Sequence, residues 1–287
     1  MAGPVEVAYQ VFGRPEDPAL LLIAGLARQL VSWPEPLCQA LADRGHRVVR
    51  FDNRDVGLST HVHTAPAPDV RAVTRGDYAS VSYRLADMAA DVVGLLDRLG
   101  IAVAHLIGHS MGGMIAQQLT IDAPDRVGSL VSLSSAPGVR DSWDARREAL
   151  PVVLELPPTD ASGYVDQAVR FERLLAVTPD IEGARHRAEL EFARGVDPKG
   201  KARQFVAMHA SGERTPALAL VRTPTLVVHG AADPLIGVRA ARATVAAVPG
   251  ARLLIFPAMG HELAREHWAD FVDAVSGLVA GAVVPIR

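Results

Sequence analysis

A hydroxyl, a carboxylate and an imidazole at Ser110, Asp233 and His261 have the types and setting for nucleophilic acyl transfer. A serine hydroxyl is a weak nucleophile alone; it needs a base within hydrogen-bond reach, and that base needs an acid to hold its tautomer. Ser110 is the centre of Gly108-His109-Ser110-Met111-Gly112, preceded by the apolar run Ile101 to Ile107 and followed by Met114-Ile115-Ala116-Gln117-Gln118-Leu119. A buried strand, a very tight turn and a helix form a nucleophile elbow, which exposes its serine beside the amides of a helix N-terminus. Gly108 and Gly112 leave room around the strained serine, and Gly113 lets the helix start close to the sheet.

The partners lie near the end of the chain. The strand pattern Thr225 to His229 runs into Gly230-Ala231-Ala232-Asp233-Pro234-Leu235, and Arg252 to Phe256 runs into Pro257-Ala258-Met259-Gly260-His261. Each group therefore falls just past a strand, where open α/β sheets collect functional residues. Developing negative charge on a carbonyl oxygen needs two amide donors. Met111, next to the serine, and Leu26, in the loop after the strand Ala19 to Ala24, are the candidates. His229 is expected to pack in the core. His109 is expected to shape the pocket, with its side chain leaving the elbow in another direction. His61, His63, His186, His209 and His267 show no metal-ligand spacing, so no metal site is expected.

The elements that must hold these groups alternate. Strand patterns are Val5 to Val11, Ala19 to Ala24, His46 to Phe51, the elbow strand, Val127 to Ser134, Thr225 to His229 and Arg252 to Phe256. Helical spacing appears over Pro34 to Arg44, Tyr83 to Leu99, the elbow helix, Val238 to Val248 and Glu262 to Val279, with a long loop over Thr60 to Ala79. Strands alternating with helices predict an α/β protein with a mostly parallel sheet covered on both faces. From Ala136 to Thr223 the alternation stops, and Pro151, Pro157-Pro158, Pro179, Gly195 and Gly200 divide a charged, helical stretch. The expected organisation is a core of residues 1–135 and 223–287, with 136–222 inserted as a helical cap.

Composition narrows the classes. An apolar share of 49% beside 21% charged residues allows a sizeable core and argues against global disorder. A net charge of −3, with no Lys/Arg-rich run, gives no reason to expect nucleic acid. Cys38 has no partner for an intramolecular disulfide and is expected as a small core residue. Pro4, Glu6 and Gln10 interrupt any secretory pattern, and Ala19 to Ala24 is too short to span a bilayer, so a cytoplasmic protein without a membrane span is expected. The oligomeric state leaves no signature.

The order Ser110, Asp233, His261, together with Ala24-Gly25-Leu26, Phe51-Asp52-Asn53-Arg54-Asp55-Val56-Gly57-Leu58-Ser59 and Gly260-His261, resembles the α/β-hydrolase-fold serine carboxylesterases over nearly the whole chain. Within them it is most similar to the bacterial esterase branch that includes aclacinomycin methylesterase. The resemblance implies an α/β-hydrolase fold with an eight-stranded sheet, a cap between its sixth and seventh strands, the triad named above and no cofactor. It implies a small-molecule ester or thioester substrate, cleaved through an acyl-enzyme in a largely apolar pocket. Trp143, Tyr164, Phe171, Phe192, Phe205 and Met208 from the insertion, with Leu235, are the candidate lining. One departure is visible: the family's usual His-Gly before the amide donor is Ala24-Gly25 here. Asp52 and Arg54 are expected to make structural hydrogen bonds. A serine nucleophile argues against epoxide hydrolases and haloalkane dehalogenases, which need an aspartate. Carbon–carbon bond hydrolases, cofactor-free perhydrolases and a non-enzymatic binding module remain open on the same residues.

Overall fold

The computed structural model describes residues 5–138 and 149–282. Its sheet has strands β1 (Tyr9–Phe12), β2 (Ala19–Ile23), β3 (Arg47–Phe51), β4 (Ala104–His109), β5 (Val127–Leu133), β6 (Thr225–Gly230) and β7 (Arg252–Phe256). The helices are α1 (Glu35–Ala42), α2 (Val70–Thr74), α3 (Leu85–Arg98), α4 (Met111–Asp122), α5 (Ala149–Leu154), α6 (Ala161–Leu175), α7 (Ile181–Ala193), α8 (Pro198–Ala210), α9 (Thr215–Leu218), α10 (Val238–Ala247) and α11 (Trp268–Ala282).

The strand order is β1-β3-β2-β4-β5-β6-β7, with β1 antiparallel to β3 and every other pair parallel. Among the described residues the sheet thus has seven strands rather than eight. The alternating segment from Val5 pairs with β3 only from Tyr9; before that, Glu6 and Ala8 donate their amides to the hydroxyls of Thr60 and Ser59. The helical excursion accordingly leaves after the fifth strand and returns at the sixth. The proline-containing stretch read as a loop also holds α2, which Asp69 caps by accepting the Ala72 amide at 2.8 Å.

Burial on both faces of a parallel sheet requires continuous apolar strands, and β2 shows how the pleat divides them. Leu21 and Ile23 join the cluster formed with α3 and α4, whereas Leu20 and Leu22 face α1 and α11. Cys38 is buried in the second cluster, and burial pushes its thiol up to about 12. Strand order reverses between β2 and β4, since the chain steps outward from β2 to β3 and then outward the other way from β4 to β5. The crevice at the carboxyl ends of those two strands is where such a sheet places its site. Among the described residues no helix is long and apolar enough to cross a membrane.

The excursion is tied to the sheet by buried charge. Arg203 of α8, 2% exposed, donates to Asp55 Oδ1 at 2.7 Å and Oδ2 at 2.9 Å, and to Asp197 Oδ2 at 2.8 Å. Asp55, itself fully buried, also accepts the Tyr83 hydroxyl at 2.6 Å and the Val62 amide at 2.7 Å. Removing one side of such a pair leaves a desolvated charge. Arg203→Met is expected to cost about 3–5 kcal/mol of stability, read as a lower urea midpoint with an unchanged slope.

Candidate active site

The elbow is visible in the backbone. Ser110 sits between β4 and α4 at φ +56° and ψ −119°, a left-handed conformation that side-chain-bearing residues rarely adopt. Its amide donates to Leu133 O at 2.9 Å, and its carbonyl accepts from the Gly113 amide at 3.0 Å and the Ser135 hydroxyl at 2.7 Å. The flanking glycines are required by space. A Cβ on Gly108 would run into the Gly112 carbonyl, one on Gly112 into the Ile23 carbonyl, and one on Gly113 would lie 2.6 Å from Ser135 Cβ.

Ser110 Oγ lies 3.1 Å from His261 Nε2, and His261 Nδ1 lies 2.8 Å from Asp233 Oδ2. A carboxylate only accepts, so Nδ1–H donates to Asp233 and Nε2 is left bare to accept the serine proton. Asp233 is aimed by its own loop: Oδ1 accepts the Leu235 amide at 2.8 Å and the Ile236 amide at 2.9 Å, leaving Oδ2 for the histidine. His261 is fixed at both backbone ends. Its amide donates to Leu175 O of α6 at 2.7 Å, and its carbonyl accepts from His109 Nε2 at 2.9 Å. The helical excursion therefore touches the relay directly, and Gly260 is where the two backbones meet, since a Cβ there would strike the Leu175 carbonyl.

His229 is buried in β6 as the sequence suggested; its Nε2 donates to Ile236 O at 2.7 Å and lies 3.5 Å from Asp233 Oδ2. It thereby braces the acid-bearing loop. His109 lines the cavity, in keeping with a pocket-shaping role, and its ring lies 5.0 Å from that of His261 and edge-on to Trp33 at 6.4 Å.

Leu26 and Met111 both line the cavity beside Ser110, and no hydrogen bond among the described residues engages either amide. A Cβ on Gly25 would lie 3.3 Å from Ser110 Cβ, so the loop that carries Leu26 is packed onto the elbow. That loop is held from above: Gln204 of α8 accepts the Ala27 amide at 2.8 Å and donates to Arg54 O at 2.7 Å. Below it, Asp52 accepts the Leu30 amide at 2.7 Å, and Arg54 pairs with Asp91 through two bonds of 2.6 Å. Gln204 was not legible as a site residue, because its position on a helix of unknown orientation carries no signal.

Of the expected lining residues, Phe171, Met208, Leu235 and Tyr164 face the cavity. Phe205 does not; it packs against His209 at a ring distance of 4.2 Å within α8. Phe192 packs against Tyr164 instead, and Trp143 lies outside the described residues. The cavity is also far more charged than expected, with Arg28, Glu172, Arg187, Lys201 and Glu262 in its wall. Arg187 pairs with Glu172 at 3.2 Å and Arg28 with Glu191 at 3.3 Å. Asp55, His61 and Asp197 bring potential ligand atoms within 4.8 Å of one another. The positive charge there is supplied by Arg203, which bonds both carboxylates.

Electrostatics poise the relay. Burial works against the imidazolium of His261, but the Asp233 charge and hydrogen bond outweigh it, and its pKa is raised above 6.5. Burial likewise opposes the Asp233 carboxylate, and His261 and His229 outweigh that, so its pKa is lowered from 3.8. Only the neutral imidazole can accept a proton. For a reaction in which His261 is the base, kcat/KM is therefore expected to fall with unit slope as pH drops through a midpoint above 6.5, while Asp233 stays ionised across that window. The stability linkage has the opposite sign: His261's contribution is full below 6.5 and is lost as pH rises through its folded value. A pH–rate profile beside a pH series of urea midpoints checks both directions.

A parallel sheet with a switch-point crevice, a strained elbow serine and a Ser–His–Asp hydrogen-bond chain defines an α/β protein built for hydrolysis. Residues 18–267 match the family described as the alpha/beta hydrolase fold, and the chain belongs to that family. It is 31% identical over 279 residues to the rhodomycin D methylesterase of Streptomyces peucetius, covering 88% of this chain and 87% of the relative. It is 30% identical over 275 residues to the rhodomycin D methylesterase of Streptomyces sp. (strain C5), with the same coverage of each chain. A solved hydrolase from Pseudomonas aeruginosa superposes with a TM-score of 0.71 at 27% identity, covering 97% of this chain and 94% of that one.

Proposed function

We propose that the protein is a serine hydrolase that cleaves carboxylic esters through an acyl-enzyme. The observation that carries this reading is the unbroken chain from Ser110 Oγ to His261 Nε2 and from His261 Nδ1 to Asp233 Oδ2, at 3.1 and 2.8 Å. Ser110 attacks the ester carbonyl as His261 takes its proton. Asp233 holds the imidazole tautomer and stabilises the imidazolium that forms. The oxyanion is received by the amides of Leu26 and Met111, each such donor contributing about 3 kcal/mol in the transition state. His261 then returns its proton to the departing alcohol, and water, activated by the same imidazole, releases the acid. Every proton in the cycle moves among Ser110, His261, water and substrate. Residues 136–222 act as a cap over the crevice and supply part of the recognition surface, Tyr164, Phe171, Lys201 and Met208 among it. The methylesterase relatives support an ester as substrate; a thioester would be cleaved by the same steps.

The test is a fluorophosphonate probe followed by mass spectrometry of the intact protein. One adduct is expected, absent from Ser110→Ala and accompanied by turnover of nitrophenyl esters. No adduct on a folded, monodisperse sample would overturn the reading in favour of a binding module.

A further inference from the structure

The charges in the cavity wall are not all accounted for by one another. Glu172 meets Arg187, Arg28 meets Glu191, and Asp55 and Asp197 meet Arg203. Glu262, beside His261, lies in the fields of His109 and Arg28, which hold its carboxyl down to about 2 against the effect of burial. Lys201 is different. It is 8% exposed, it lines the same cavity as Ser110 and His261, and its ammonium donates to the Glu155 carbonyl at 2.6 Å. Among the described residues no carboxylate lies within ion-pairing distance of it. The Glu155 carboxylate is turned to Arg170 at 2.7 Å.

A buried ammonium with no carboxylate in contact is costly; the Glu155 charge favours it only through space, and one carbonyl satisfies only one of its three donors. Burial lowers the pKa of Lys201 to about 8, which keeps it mostly charged at neutral pH. Its stem and head flank an apolar strip. The ammonium lies 5.5 Å from the Phe171 ring centroid. Met208 is two helical turns further along the same face of α8, roughly 10 Å of helix rise away. Phe171 and Met208 both line the cavity that reaches Ser110. The wall of one cavity thus holds Ser110, the apolar side chains Phe171 and Met208, and a cation with ammonium protons left to donate.

Resting on the ester-hydrolase reading, we propose that Lys201 forms an anion subsite for a carboxylate carried by the substrate at the end remote from the scissile ester. The substrate class this selects is an acid-bearing ester: a monoester of a dicarboxylic acid, or an acyl ester of a hydroxy acid. A carboxylate there would accept the free ammonium protons while its carbon chain lies along Phe171 and Met208.

The experiment compares kcat/KM within matched pairs. The first arm sets the monomethyl esters of succinic, adipic and suberic acids against their dimethyl esters, placing the charge on the acyl side. The second sets acetylated hydroxy acids against their methyl esters, placing it on the alcohol side. The wild-type protein is expected to favour the ionised member of at least one pair on the order of 10–100-fold, the worth of a hydrogen bond to a charged group. Lys201→Met should collapse that ratio to near unity, and Lys201→Arg should retain a measurable part of it. A wild-type ratio near unity throughout, or an unchanged ratio in Lys201→Met, overturns the subsite. Calorimetric titration of the wild-type protein and Lys201→Arg with adipate and with the neutral diamide gives a readout free of turnover. Selective adipate binding without turnover of any ester would retain the subsite and sink the esterase reading. Turnover of neutral esters with no adipate selectivity would do the reverse.

Discussion

Ser110→Ala is expected to lower ester turnover by about 10⁴- to 10⁶-fold, the loss seen when the nucleophile of such a relay is removed. The size follows from the geometry. His261 Nε2 has Ser110 Oγ as its hydrogen-bond partner at 3.1 Å, and the substitution leaves the imidazole with nothing to deprotonate but water. The elbow itself should survive. Alanine bears the same strain as serine at φ +56°, and the bonds that fix this turn are made by the backbone: the amide to Leu133 and the carbonyl to Gly113 and Ser135. The melting temperature should therefore stay close to that of the parent, which separates lost chemistry from lost fold. The amides of Leu26 and Met111 also remain, so residual catalysis above the uncatalysed rate is expected from their pull on the carbonyl oxygen. A rate close to that of the parent would show that some other group attacks the carbonyl.

The sequence was most readable where chemistry depends on a local turn. Ser110 directly follows β4, and Asp233 and His261 lie in the loops after β6 and β7; parallel strands deliver such loops to one edge of the sheet, so chain order pointed to one place for distant residues. The burial of His229 and Cys38 was legible for a related reason, since strand and helix periodicity states which side is packed. Facing across separate helices was not. The spacing of α8 puts Lys201 and Met208 on one face, but only packing against the loop after β2 turns that face inward and sends Phe205 elsewhere. The charged wall was missed for the same reason. Arg28 and Glu191 are 163 positions apart and meet only because α7 folds back over the sheet. The eighth strand had a different origin: the resemblance alone implied it, whereas the seven strand patterns of the chain each form a strand, the first pairing in register with β3 from Tyr9 onward.

Asp233→Asn is expected to lower kcat by about 10⁴-fold while leaving the loop in place, the effect of a wrong histidine tautomer in this kind of relay. The asparagine side chain is nearly isosteric with the aspartate it replaces, and its carbonyl oxygen can keep the two amide bonds from Leu235 and Ile236 that now fix Oδ1. That orientation turns the amide NH₂ toward His261 Nδ1, where the carboxylate now accepts at 2.8 Å. Two donors cannot share the contact, so Nδ1 must become the acceptor and the ring proton must move to Nε2. Nε2–H then faces the Ser110 hydroxyl and cannot receive its proton. The reverse flip would restore the histidine tautomer but point NH₂ at two backbone amides, both donors, in a buried loop. Each orientation thus loses something, and the one that keeps the backbone satisfied is the one that disables the base. The substitution also removes the charge that raises the pKa of His261 above 6.5, so the acid limb of any remaining activity should shift to lower pH. His229 cannot substitute, because its Nε2–H is committed to the Ile236 carbonyl at 2.7 Å and it carries no negative charge. A variant with full activity and an unmoved acid limb would place the acid of this relay at another residue.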